Sequence, residues 1–169
     1  MKNNEPVIFS TWGFDYAPPV DLTDYKIELA IKDYLIEQWD NEEHHEEGVK
    51  TFVSLKTYLI EESTDGVYNF YNAYVWVYSE QCYLENNDVM NYSSFSVPYK
   101  FTLKEDKSYL PNEYIIEKAE FPRDAHYSED MKTLFPKSVQ RDMDLFHIDG
   151  SVEKLQNEIN EQIKLYFRQ

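Results

Sequence analysis

Apolar residues recur at three- and four-residue steps over about 22 to 40. Ile27, Ala30, Ile31, Tyr34, Leu35 and Trp39 fall on one stripe, which predicts an amphipathic helix. Asp21 or Thr23 stands where a cap belongs, and Asp24 suits the positive end of the dipole. The acidic stretch Asp40 to Gly48 ends this helix, and beyond it the period changes to two. In residues 49 to 61, Val49, Thr51, Val53, Leu55 and Leu59 share one strand face. After a tight turn at Asp65-Gly66, residues 67 to 84 form a long strand that is apolar on both faces. Tyr68, Phe70, Tyr74, Trp76 and Tyr78 point one way; Val67, Tyr71, Ala73, Val75 and Val77 point the other. A turn over Glu85 to Asp88 leads to a third strand, 89 to 104, with Phe95, Val97, Tyr99, Phe101 and Leu103 on one face. Pro98 lacks a backbone donor and belongs at a sheet edge or a bulge. A fourth strand covers 113 to 121. Helical signals return after Pro122. A short helix runs from Ser128, its cap, to Phe135, a second spans Lys137 to Phe146, and a last one runs from a Ser151 cap to about 167. The stripe of that last helix is Val152, Leu155, Ile159, Ile163 and Tyr166 or Phe167.

Helix, four consecutive strands, then helices is an α+β order, and hairpin-length connections make the sheet antiparallel. The predicted architecture is an N-terminal helix packed on a curved four-stranded antiparallel sheet, cystatin-like or NTF2-like, followed by C-terminal helices. All 169 residues form one domain: an extended arm over 1 to 20, the helix and sheet over 21 to 121, and the C-terminal helices over 122 to 169. Phe9, Trp12, Phe14 and Tyr16 make the arm too aromatic for a free tail, and we expect it to lie against the body. The ring-laden 67 to 84 strand requires cover on both sides. The C-terminal helices and the arm carry enough apolar residues to supply it; a partner is the alternative. Trp39 and Trp76 are read as large buried aromatics.

Composition narrows the chemistry. Aromatics make up 17% and only 4 residues are Gly, so the chain can build a core and is not globally disordered. Acids outnumber bases 32 to 16, a formal net charge of −16, which excludes wrapping bare nucleic acid. The charge is uneven: residues 131 to 169 hold 6 acids and 6 bases, so the rest of the chain carries all of the excess. That body repels like-charged surfaces and attracts basic ones. No apolar run approaches the roughly 18 residues of a bilayer span. Cys82 is single, so no internal disulfide forms; with Glu80 and Glu85 nearby it reads as a small buried hydrophobe rather than a reactive thiol.

Three places carry candidate chemistry. His44-His45, flanked by Glu42, Glu43, Glu46 and Glu47, has ligand types, but adjacent histidines do not share a helical face and H-E-x-x-H is absent; it reads as a solvated turn. Arg123, Asp124, His126 and Tyr127, with Glu129 and Asp130, crowd the corner after the fourth strand. Arg123 can hold an anion there, and Asp124 with His126 can form an acid–base pair; alternatively Pro122 sets the corner and Arg123 and Asp124 tie it. Tyr74 and Trp76, on the Tyr-rich strand, either face a ligand or fill the core. Four glycines leave no phosphate-cradling loop, and there is no serine nucleophile elbow or cysteine cluster. No catalytic residues, metal or cofactor are assigned.

The segment Glu117 to Pro136 resembles a family of uncharacterised Firmicutes extracytoplasmic domains. These occur in lipoprotein-like proteins and in the outer part of beta-lactam-sensor-type membrane metallopeptidase homologues. Glu120, Pro122, Arg123, Asp124, Tyr127, Asp130, Phe135 and Pro136 match its pattern; Ala125 and His126 stand where Gly and Ser are usual. Ser96 to Phe101 loosely matches one of its strands. The resemblance implies an antiparallel sheet with helices and a place outside the cytoplasmic membrane, at the cell surface on a tether. It supplies no catalytic residues, and the peptidase motif of the larger relatives is absent. The start, Met1 to Pro6, has no signal-peptide h-region. Either a signal or anchor has been removed, or Met1 is a native cytoplasmic start. The leading expectation is a non-enzymatic, membrane-tethered extracytoplasmic binding or sensing domain for an unknown protein or small-molecule ligand. The alternatives are an acidic intracellular inhibitor or immunity-type protein that binds a basic partner, and an NTF2-like enzyme with a small-molecule pocket.

Overall fold

In the computed structural model, residues 22–41, 48–108 and 113–168 are described. The expected arm and the His44-His45 turn lie outside them. The order is α1 (Thr23–Asp40), β1 (Lys50–Thr64), β2 (Asn69–Glu85), β3 (Asp88–Asp106), β4 (Glu113–Glu120), a 3-10 turn (Asp124–His126), α2 (Tyr127–Leu134), α3 (Lys137–Met143) and α4 (Ser151–Phe167). The four strands pair in sequence order, all antiparallel, in one curved open sheet. The α+β architecture is therefore as the pattern predicts.

The sheet separates two cores. On one face Ile27, Ile31 and Leu35 of α1 pack against Val53, Leu55, Tyr71, Ala73, Val75, Val77, Tyr99, Phe101 and Leu103. On the other, Tyr74, Trp76, Tyr78 and Phe52 pack against Met131, Phe135, Val139, Met143, Phe146, Leu155 and Ile159 of the C-terminal segment. The cover that β2 requires is thus supplied by α1 on one side and by α2, α3 and α4 on the other. Trp76 shows the fit. Its ring stacks on Phe146 at 4.1 Å, His147 meets it edge-on at 5.4 Å, and its Nε1–H donates to Ser96 Oγ at 3.0 Å. α4 is also tied down by polar contacts: Ser54 donates to Glu158, and Gln162 Nε2 donates to the Val53 carbonyl at 3.1 Å.

Turn chemistry follows the residues. Glu85 pairs with Asp88 across Asn86 and Asn87, whose φ values of 52° and 71° are those of a two-residue hairpin turn. At the first hairpin the Asp65 carboxylate accepts the amides of Val67 and Tyr68, both at 2.8 Å. That turn takes Val67 and Tyr68 out of the strand, so neither joins a core; Val67 is 75% exposed. Pro98 stands beyond the last rung of β4, which ends opposite Lys100, so β3 has an open side there.

Local details correct the reading at five points. Register slips between Thr57 and Leu59, a bulge that turns Leu59 to the face opposite Val53 and Leu55 and puts Ile60 in its place. Leu22, not Asp21 or Thr23, is the N-cap of α1, without a side-chain cap bond. α2 begins at Tyr127 directly after the 3-10 turn, so Ser128 is already inside the helix. Gly150, at φ 82°, caps α4, and the Asp149 carboxylate accepts the Ser151 amide at 2.9 Å. Trp39 is only partly buried, resting edge-on against Phe95 at 5.4 Å.

The two tryptophans should therefore separate. Trp76→Ala should cost ~3–5 kcal/mol in urea denaturation, as for a large core aromatic, and Trp39→Ala clearly less. A Trp76 variant that unfolds with the parent would place that ring outside the core.

Candidate functional site

The corner after β4 is built by charge. Arg123 Nε donates to Asp130 Oδ2 and Nη2 to Oδ1, both at 2.8 Å, and the Arg123 amide adds a third bond to Oδ2 at 2.9 Å. The planar guanidinium matches the carboxylate two-to-two, which fixes the angle at which the 3-10 turn enters α2. These bonds hold the Asp130 carboxyl well below the usual carboxylate range, the guanidinium contributing most, and push the Arg123 side chain upward. Pro122 is buried beside them. His126 does not join Asp124: its Nδ1 faces Glu129 Oε2 at 3.5 Å, and both partners are exposed. The tie is thus made by Arg123 with Asp130, while Asp124 occupies the exposed first turn of the 3-10 segment.

Tyr74 belongs to the core. Its ring leans on Phe135 at 6.1 Å, its hydroxyl donates to Glu61 at 3.0 Å, and burial together with that carboxylate pushes its pKa up to about 12. Trp76 and Tyr127 do meet at one place. They line a cleft of about 350 Å³ with Met131, Gln140, Asp144 and His147. Burial, with the nearby Asp144 carboxylate second, raises the Tyr127 phenol above its usual value. Arg123, Asp124 and His126 are not in its wall.

A larger groove lies between α1 and β4, about 680 Å³. Leu22, Tyr25, Leu29, Ala30 and Tyr34 line it from α1, and Tyr114 and Ile116 from β4, while Ile115 between them turns its side chain to the other face of the sheet. Tyr25 is 62% exposed, and Leu29 and Ile115 are each 45% exposed. Asp33, Glu37 and Glu113 stand on the rim with a single cation, Lys26. None of these residues figured among the sequence candidates. The signal was present: Leu22, Tyr25 and Leu29 are spaced i, i+3, i+7, a second apolar line beside the core stripe of α1.

One further polar cluster joins β1 to the start of α4. Lys56 Nζ donates to Asp149 Oδ2 and to Ser151 Oγ, each at 2.7 Å. These contacts, led by the Lys56 ammonium, hold the Asp149 carboxyl well below its ordinary range. A serine–lysine pair is a nucleophile–base arrangement only if the amine accepts the hydroxyl proton. Here the amine is also paired with the Asp149 carboxylate, and the cluster ties β1 to the start of α4. Among the described residues no three His, Cys, Asp or Glu side chains are grouped to hold a metal ion, and no helix is long and apolar enough to cross a membrane. Cys82 is buried; burial, then the Glu80 charge, pushes its thiol up to about 11.

A scan against protein-family profiles and searches of curated proteins and of solved structures return no match.

Two measurements test these assignments. Asp130 has a folded pKa below its unfolded value of about 3.9, so it stabilises the fold above that pH and ceases to as the pH falls through the folded pKa. Asp130→Asn should therefore melt below the parent at neutral pH, with the gap closing on acidification; a gap independent of pH would remove the clasp from the stability of the corner. Asp149 has the same sign, so the variant keeps some acid sensitivity. Cys82 should react slowly with a disulfide reagent in the native chain and fast in denaturant. Equal rates would mean an accessible thiol.

Proposed function

We propose that this chain is a non-enzymatic binding or sensing domain that holds its partner in the groove between α1 and β4. The supporting observation is Tyr25 and Leu29 of α1, exposed beside the half-buried Tyr114 and Ile116 of β4 in one concavity, while the fold buries large side chains on both sides of the sheet. Contiguous apolar surface in a groove with polar margins is the common form of a recognition site. The helix-on-sheet arrangement fits a cystatin-like or NTF2-like scaffold, which positions such a groove without supplying a reaction.

For address, we read the domain as extracytoplasmic and membrane-tethered in the full-length protein. The likeness of Glu117 to Pro136 to the Firmicutes family supports this. The buried or paired positions of that motif, Pro122, Arg123, Asp130 and Phe135, build the corner, so the likeness speaks for shared shape and not for a shared reaction. The acidic-inhibitor reading draws on Asp33, Glu37 and Glu113 at the groove rim; it differs in address and partner but uses the same surface.

Fragment screening by NMR should return hits that shift the amides around Leu29 and Ile115. Leu29→Glu, at a half-exposed site where the stability change stays within about 0.5 kcal/mol, should abolish them. Hits that map elsewhere and ignore the variant would reject the groove as the site. Protease treatment of intact cells expressing the full-length protein decides the address: digestion supports the outer location, protection rejects it.

A further inference from the structure

We infer that the groove receives an extended segment of a partner protein, apolar at alternate positions and carrying Lys or Arg, which adds to the outer edge of β4 as a fifth strand. This rests on the binding reading above and names its partner class. β4 is the last strand in the sheet order, so its outer backbone edge has no strand beside it among the described residues. Free amides and carbonyls on such an edge are a template for another strand. The edge borders the apolar groove. An added strand would turn every second side chain toward Tyr25 and Leu29, because strand side chains alternate between faces. Backbone pairing and apolar anchoring would then come from one ligand in one conformation.

Charge selects the ligand. Asp33, Glu37 and Glu113 outnumber Lys26 on the rim, and the chain as a whole carries −16. A basic segment is drawn in and an acidic one repelled. The same argument disfavours a second copy. Antiparallel pairing of β4 with itself about its middle would set Glu113 opposite Glu120 of the second copy, with Glu117 next to the two-fold axis, and the one lysine of the strand, Lys118, is engaged with Glu120 at 2.7 Å. Glu117 is moreover the extra residue of a bulge, a device that deters a matching strand at that end and leaves Glu113 to Ile116 regular.

The test pans a random dodecapeptide phage library on the complete chain and remakes the selected peptides synthetically. Selected peptides should alternate apolar residues and be net positive. Their affinity should fall at least about tenfold in the Asp33→Lys, Glu37→Lys double variant, and markedly as salt rises from about 50 to about 500 mM. N-methylating one alternate set of peptide amides should abolish binding, and methylating the other set should not. Peptides that lose binding in Leu29→Glu but ignore rim reversal or methylation would overturn this inference and leave the groove reading intact. Peptides indifferent to Leu29→Glu would count against both. Binding seen only when Trp12 and Phe14 are replaced by Ser would assign the groove to the N-terminal segment of the chain itself. A dimer in sedimentation that Leu29→Glu dissolves would assign it to a second copy. Either result overturns the proposal.

Discussion

The structure depends on burying β2 from both sides. Its even-numbered rings, Tyr74, Trp76 and Tyr78, face the C-terminal helices, and its odd-numbered residues, Tyr71, Ala73, Val75 and Val77, face α1. Each large apolar side chain taken fully out of water contributes about 1.5–3 kcal/mol, so this one strand outweighs any surface ion pair in the molecule. A half-covered antiparallel sheet normally shows one apolar and one polar face. Here the hydrophobic effect makes the sheet the middle of three layers, and every other element is placed by which side of β2 it covers.

That constraint is legible in the sequence because period two without a polar face is a strong pattern. The faces of β2, the Phe95 to Leu103 face of β3, the core stripe of α1 and the Asn86-Asn87 turn could all be read from residue order. Leu59 could not, because one extra residue at Tyr58 inverts the alternation, and a bulge leaves no mark in periodicity. Helix starts were misread where capping was assigned to the nearest hydroxyl. In the structure Gly150 and Leu22, neither with a side-chain cap bond, take those places. The corner residues were found by composition, but their partners were not, since the Arg123–Asp130 match depends on the turn of α2 bringing position 130 back over position 123.

Function was less legible than fold for a related reason. Sequence reading looks for polar, ionisable or aromatic groups, and several of those have packing or pairing partners within the fold: Arg123 clasps Asp130, and Tyr74 and Trp76 pack among the core residues. The groove proposed as the binding site is made of ordinary residues, leucine, isoleucine and tyrosine, and is distinguished by the exposure of Tyr25 and Leu29 rather than by any reactive group. Its acidic rim gives the excess of carboxylates a local meaning that a net charge alone lacks.

The cover on the Trp76 side arrives late. Ser54 and its α4 partner Glu158 are 104 positions apart. During synthesis the hairpin of β1 and β2 therefore leaves the ribosome with one greasy side naked, and it stays so until almost the whole chain has emerged. Export in an unfolded state would avoid that exposure during translation and return it at the far side of the membrane. In either compartment the last helix acts as the closing piece, and a chain cut before Ser151 would be prone to clump rather than merely weakened.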